Sequence, residues 1–146
     1  MKKPGFTLIE ILLAIAIIVL LAALSVPFYT STLVSTQSKD TTIEIVQSLR
    51  RAKIKALAAV ADDNWGVAVG QDDKITLFKG SSYVSRDQNL DEAFALPPSI
   101  TSFDGLSEII FLKSTGNPNT IGDITFIDSN NQNHKISINP EGTIDF

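Results

Sequence analysis

The 146-residue chain contains no cysteine. Disulfide bridges, thiol nucleophiles and cysteine-ligated metal centres are therefore excluded. Any folded domain must instead be stabilised by packing or by contacts with neighbouring molecules, because a small domain buries only a modest core.

Histidine is almost as scarce, since His134 is the only one. A Ser/His/acid triad would have to use this residue, which lies beside a predicted turn and is expected to face solvent on a hairpin. The acidic pairs 62–63 and 72–73 are adjacent in sequence, so their side chains diverge. The sequence therefore predicts no catalytic residue and no enzyme activity.

Metal and cofactor motifs are also missing. Residues 128–132 resemble the start of an oxygen-ligand calcium loop, but its sixth position is Asn133 rather than Gly and its twelfth is Asn139 rather than Glu. The glycines do not have the spacing of a phosphate loop. No metal or cofactor is predicted.

Basic residues are few in the second part of the chain. From Asp62 onward there are 13 acidic and 5 basic side chains, a net charge of −8. A surface of this sign repels phosphate backbones, which disfavours nucleic-acid binding.

Charge is absent altogether between Ile11 and Ser38, and residues 11–24 are wholly apolar. About 20 helical residues cross a bilayer core of about 30 Å. The run predicts a transmembrane and assembly helix over 6–28, with Lys2 and Lys3 on the cytoplasmic side.

Glu10 lies within this predicted helix. An ionised acid at such a depth costs on the order of 3 kcal/mol and indicates a functional site. No basic residue lies within helical reach on its apolar side, which leaves an α-amino group as the candidate partner. If the bond after Gly5 is cut, the Phe6 ammonium lies one helical turn from Glu10, where it could pair within its own chain or with a neighbour. A pair between neighbours would set the axial register of stacked helices.

The segment from Gly5 to Glu10, Gly-Phe-Thr-Leu-Ile-Glu, closely resembles the processing site of type IV prepilins and type II secretion pseudopilins. The resemblance implies cleavage after Gly5 by a prepilin peptidase, N-methylation of Phe6, and a need for Glu10 in assembly with other pilins. It also implies a single-pass protein of the inner (cytoplasmic) membrane with an extracytoplasmic head. An inner-membrane assembly platform would then transfer it into a pilus or pseudopilus filament.

Two other interpretations of the N-terminus remain open. One is an ordinary secretory signal peptide, with a small-x-small cleavage site at residues 23–25. The other is a plain membrane anchor with an incidental acid. The first residue of the mature chain distinguishes the three interpretations. A start at Phe6 indicates a prepilin, a start at Val26 indicates a signal peptide, and a start at neither residue indicates a plain membrane anchor.

Beyond the apolar run, Pro27 removes an amide donor and predicts a helix kink. Helical periodicity continues to about Ala61, and the segment 29–61 is expected to be an amphipathic continuation of the helix. Its apolar stripe consists of Ile45, Leu49, Ala52, Ala56 and Ala59. We expect this stripe to pack beneath a sheet.

From residue 62 the apolar period changes to two, which indicates short strands separated by turns. The predicted strands contain Trp65 to Val69, Ile75 to Leu77, Ile109 to Leu112, Ile124 to Phe126, Ile136 to Ile138, and Thr143 to Phe146. The predicted fold is α+β, with a long N-terminal helix packed on an antiparallel β-sandwich-like head of two small sheets. The expected organisation is a leader over 1–5, the two helical segments, and the head over 62–146.

The second part of the chain is similar to H-type minor pseudopilins and their FimT-like minor-pilin counterparts. The similarity is carried by the helix motif at 49–52, Trp65-Gly66-Val67, and the terminal strand after Pro140-Glu141-Gly142. It implies a minor structural subunit. The alternative function is a membrane-anchored extracytoplasmic binding module that recognises a secreted substrate, a surface or DNA.

Overall fold

A computed structural model describes residues 5–146, apart from the side chains of residues 24–28. The predicted leader over 1–5 therefore lies outside the described residues except for Gly5. The chain divides into two compact units, Met1–Leu33 and Val34–Phe146. The first contains the beginning of helix α1 (Leu8–Leu57), and the second contains its remainder and the head.

Within the described residues, eight strands form two four-stranded antiparallel sheets. The strands are β1 (Trp65–Gln71), β2 (Lys74–Lys79), β3 (Glu92–Ala95), β4 (Ile100–Gly105), β5 (Glu108–Phe111), β6 (Gly122–Asp128), β7 (Asn133–Ile138) and β8 (Ile144–Asp145). Sheet A has the order β3-β2-β1-β5, and sheet B has the order β4-β6-β7-β8. Short 3-10 helices lie at Val60–Asp62 and Gln88–Leu90. The predicted α+β fold is confirmed.

The core lies where the head part of α1 meets both sheets. Four residues of the predicted stripe are fully buried, namely Ile45, Leu49, Ala52 and Ala56. They pack with apolar residues from both sheets, such as Val67 and Phe126. Burial of this stripe is the main reason the helix is stable, because helices draw most of their stability from packing.

The helix ends at Leu57, short of the predicted end near Ala61. Ala59 and Ala61 have φ values of +48° and +56°, so both lie in the left-handed region. Tertiary contacts hold this reversal: the Ser114 amide donates to the Ala56 carbonyl over 2.9 Å. Ala59 is therefore not part of the buried stripe.

Sheet A is buried on both faces. Val67 and Leu77 belong to the main core on one face, and Ala68, Phe78 and Ile110 on the other face are also buried. They form a second small core with Tyr83, whose ring lies edge-on to Phe78. The loop that follows β2 thus covers the outer face of the sheet.

The sequence pattern did not predict β3 and β4. Both are sheet-edge strands with many exposed positions, and the link between them contains Pro97 and Pro98. An edge strand needs no continuous apolar face, so its period-two signal is weak.

Candidate functional site

The proposed cleavage position lies just before the helix. Residues 5–7 are non-helical, and α1 begins at Leu8. Phe6 is 86% exposed, and a Cβ built on Gly5 would meet no atom within 4 Å. The peptide bond between these two residues is thus accessible.

Glu10 and Thr7 form a capping box at the start of α1. One carboxylate oxygen, Oε2 of Glu10, accepts a hydrogen bond from the Thr7 amide (2.8 Å) and another from the Thr7 hydroxyl (2.7 Å). This is the Thr-x-x-Glu arrangement that satisfies free amides in a first helical turn. The sequence signature was present, but the prediction above considered only an amine as the partner of Glu10.

The apolar side chains after Glu10 are exposed. At least half of the surface of Ile11, Leu12, Ile15 and Ile18 is accessible. A shallow groove of about 240 Å³ is lined by Phe6, Glu10, Ile11, Ala14 and Ile15. The carboxylate therefore borders an apolar surface that nothing within the described part of this unit covers.

Among the described residues, no helix combines the length and the apolar character that a membrane span requires.

The accessible Gly5–Phe6 bond, the exposed apolar helix and Glu10 in its first turn all lie in one short N-terminal segment. Residues 1–26 match the family model described as the prokaryotic N-terminal methylation motif. This motif is typical of type IV pilin-like precursors, and the match covers the first 26 residues of the chain. No curated protein and no solved structure matches the chain.

Three of the predicted site residues, Gly5, Phe6 and Glu10, lie together at the beginning of α1. The kink at Pro27 stays a prediction, because the side chains of residues 24–28 are outside the described set.

A second polar cluster lies in the head around Asp128, which is only 2% exposed. Its carboxylate accepts from Ser38 Oγ (2.9 Å), from the Asn130 and Gln132 amides (both 2.9 Å), and contacts His134 Nε2 (3.1 Å). Burial raises the pKa of Asp128, but these hydrogen bonds outweigh it and hold the pKa below its ordinary value.

Ser38, Asp128 and His134 do not form a catalytic triad. A triad needs the imidazole between the hydroxyl and the carboxylate, whereas Ser38 and His134 both contact Oδ2 of Asp128. Ser38 is also fully buried. The predicted solvent-facing position of His134 is wrong, because its ring is partly buried and stacks on Phe126 with centroids 4.8 Å apart.

Among the described residues, no group of three or more His, Asp or Glu side chains could hold a metal ion.

Three basic side chains of α1 in the head bind groups elsewhere in the chain. Arg51 pairs with Glu44 at 2.9 Å and lies 3.4 Å from Glu92, and Lys55 also pairs with Glu92. Lys53 donates to two backbone carbonyls near the C-terminal strand, at 2.7 and 2.9 Å. The structure thus uses three of these bases to fix the helix on the head.

Proposed function

We propose that the chain is a minor structural subunit of a type IV pilus or a type II secretion pseudopilus. A prepilin peptidase cleaves it after Gly5, and the new N-terminus at Phe6 is methylated. The helix holds the subunit in the inner membrane with its head outside, and an assembly platform then transfers it into a filament.

The observation that carries this proposal is the match of residues 1–26 to the methylation motif. The first support from the structure is the position of the cleavage site, because the bond after Gly5 lies in exposed, non-helical backbone. A protease needs an extended and accessible strand of substrate, and a bond inside a helix would first have to unwind.

The exposed apolar side chains supply the second support. Apolar side chains such as Leu12 and Ile15 are stabilised when they are buried from water, which lipid or the helices of other subunits can achieve. Both environments bury the helix from water, so transfer from membrane to filament depends mainly on helix packing and on the state of Glu10.

Glu10 has a different role before and after cleavage in this proposal. In the uncut chain it caps α1 through Thr7. Cleavage creates an ammonium group on Phe6, one turn away, which can pair with Glu10 of the same or a neighbouring subunit. A pair between subunits fixes the axial position of one helix against the next.

Intact mass and N-terminal sequencing of the protein isolated from its host test the processing step. The expected chain begins at Phe6 and carries one additional methyl group. A chain that begins at Val26, or that keeps its initiator methionine, would overturn the proposal. A Gly5 substitution that blocks cleavage is the matched control for the sequencing.

Two substitutions of Glu10 test assembly. Glu10→Ala removes the cap and the charge, whereas Glu10→Gln keeps an N3 side chain that can complete a capping box. If charge pairing drives assembly, both variants insert into the membrane and both lose co-purification with partner pilins. Recovery of partners by Glu10→Gln at the wild-type level would show that capping alone matters. Recovery of partners at the wild-type level by both variants would remove Glu10 from the mechanism.

A further inference from the structure

Three of the four sheet edges in the described head are protected from pairing with another chain. The outer side of β5 is covered by residues 117–119, where the Asn119 amide donates to the Ile110 carbonyl over 2.8 Å. Strand β8 has only two residues, and the register of β4 is irregular between Ile100 and Ser102. Coverage, short length and irregularity are the usual ways in which proteins block an edge.

The fourth edge, that of β3, lacks this protection. Its four residues pair with β2 in unbroken register. The Leu96 amide donates to the Asp73 carbonyl over 3.0 Å, which places the hydrogen-bonded pairs at the even-numbered residues of this strand. Since bonded and non-bonded pairs alternate in an antiparallel ladder, the amides and carbonyls of Ala93 and Ala95 point away from β2. Both residues are exposed, and no described residue bonds to this side, which we call the open edge.

A cavity of about 540 Å³ runs beside the open edge. The strand forms one wall with small apolar residues, and helix α1 forms the other with polar ones, namely Gln37, Asp40, Thr41 and Glu44. The cavity therefore continues the plane of sheet A and passes along the helix that covers one face of the sheet.

The helix wall carries a carboxylate that has no cation. Glu44 pairs with Arg51 at 2.9 Å, whereas the exposed Asp40 forms no ion pair with any described residue. An added strand would direct alternate side chains to its two faces. Those on the helix side would meet Asp40, and those on the other side would lie beside the methyl groups of Ala93 and Ala95. The open edge thus fits an extended segment with a basic side chain on one face and apolar side chains on the other.

The length of the open edge indicates the source of this segment. Ala93 and Ala95 offer only two donors and two acceptors. A freely diffusing chain gains little from so few bonds, because association costs translational and rotational freedom. A protein already held alongside by its own N-terminal helix has a high effective concentration, so the same bonds suffice.

We infer that the open edge of β3 binds an extended segment of a different, neighbouring filament subunit, which adds a fifth strand to sheet A and places a basic side chain opposite Asp40. In such strand addition the main chain supplies affinity and the side chains supply specificity. The inference deepens the proposed function and rests on it for the identity of the partner as another pilin.

Photocrosslinking in intact host cells tests the contact. Benzoylphenylalanine in place of Ala95 of the full-length chain puts a probe on the open edge, and cross-strand neighbours lie about 5 Å apart. The expected product is an adduct with a different protein that carries an N-terminal methylation motif, linked within an extended stretch that contains Lys or Arg. The same probe at Val84, which is 93% exposed in the loop after β2, is the control and should not give this adduct.

Proline at residue 93 tests the backbone pairing. Ala93→Pro removes an amide that faces the open edge and not β2, so proline is tolerated there. It is expected to reduce the adduct about tenfold, because a donor is lost and the ring obstructs the added strand. Ala93→Val keeps the amide and should keep the adduct. Fluorescence of the buried Trp65 verifies that both variants fold. An adduct that Ala93→Pro leaves unchanged overturns the inference.

Charge reversal at Asp40 provides a second, independent variant. Asp40→Lys is expected to reduce the adduct about fivefold, because a repulsion replaces an attraction. Asp145→Lys makes the same change of net charge at an exposed position of β8 and should have no effect. If Ala93→Pro does not fold, this comparison decides alone, and equal adduct yields from the two lysine variants contradict the inference.

The identity of the adduct and the N-terminus of the chain separate the two proposals. An adduct with a second copy of this chain, or with a protein that lacks the methylation motif, overturns the inferred partner. A chain that begins at Phe6 but gives no adduct contradicts strand addition alone. A chain that keeps its leader or begins at Val26 contradicts the proposed function, whatever it is linked to.

Discussion

Ser38 and Asp128 join helix α1 to sheet B through a single buried hydrogen bond. The Ser38 hydroxyl donates to the Asp128 carboxylate over 2.9 Å, and the two residues are 90 positions apart in the chain. Both are at most 2% exposed. Such a bond is costly to break, because a buried polar atom without a partner keeps its full desolvation cost.

Replacement of this carboxylate is expected to destabilise the head. Asp128→Asn leaves one oxygen to accept from the donors that surround it, so the free energy of unfolding should fall by about 1–3 kcal/mol. Urea unfolding of the full-length protein in detergent can be followed by fluorescence of Trp65, the only tryptophan, which is buried.

The same residue predicts a pH dependence. The pKa of Asp128 is lower in the folded state, so its stabilisation is present above the unfolded pKa and is lost as the pH falls through the folded pKa. Wild-type stability should therefore decline below about pH 5, and less steeply in Asp128→Asn. Asp123→Asn is the control: its pKa is also lowered, by Lys135 and Ser137, but its side chain is 45% exposed and its effect should be smaller. If the free energy of unfolding falls equally steeply with pH in wild type and in Asp128→Asn, the prediction is contradicted.

The Thr7–Glu10 capping box predicts slow amide exchange at the first turn of α1. Thr7→Val removes the hydroxyl that accepts from the Glu10 amide (3.4 Å) and donates to the Glu10 carboxylate, and exchange of the Glu10 amide should become about fivefold faster, as expected for loss of about 1 kcal/mol of capping. Thr7→Ser retains a hydroxyl and should remain near wild type. Hydrogen exchange of the full-length protein measures this. No change in Thr7→Val would show that the hydroxyl contributes nothing to the cap.

The left-handed residues after α1 predict a stabilising substitution. Ala59 has a φ of +48°, where a Cβ atom is unfavourable and glycine is not. Ala59→Gly should raise the free energy of unfolding by about 0.5–1 kcal/mol. Ala56→Gly, in the buried helical stripe, should lower it by about 1 kcal/mol. If the urea midpoints of both variants shift in the same direction, the explanation from backbone conformation is ruled out.

Gly66 predicts a packing effect without backbone strain. A Cβ atom at this position would lie 2.7 Å from Phe78 Cζ and 2.9 Å from the Ile109 carbonyl oxygen. Gly66→Ala should therefore destabilise the head by about 1–3 kcal/mol through overpacking. Val84→Ala, at a loop position that is 93% exposed, should change stability by less than about 0.5 kcal/mol. Thermal unfolding of both variants provides the comparison.

Local periodicity was sufficient to predict most of the head. The buried stripe from Ile45 to Ala56 and the strands around Trp65, Ile124 and Ile136 follow directly from spacings of three to four and of two. Both periods arise from the direction of side chains within a single helix or strand. They can therefore be recognised in the sequence without knowing which element packs against it.

Features that depend on distant partners could not be read in this way. The end of α1 is fixed by Ser114, far along the chain, and the outer face of sheet A is covered by a loop that has little apolar character besides Tyr83, Val84 and Leu90. The Asp128 cluster joins residues that are 90 positions apart. The Thr7–Glu10 cap is different, because its sequence signature was complete and local.

The cover that Tyr83 and its loop place over sheet A has a consequence for neighbours. With the helix on one side and this loop on the other, the flat surfaces of sheet A are already occupied. A docking molecule can therefore reach sheet A along its edge strand β3, which has exposed positions.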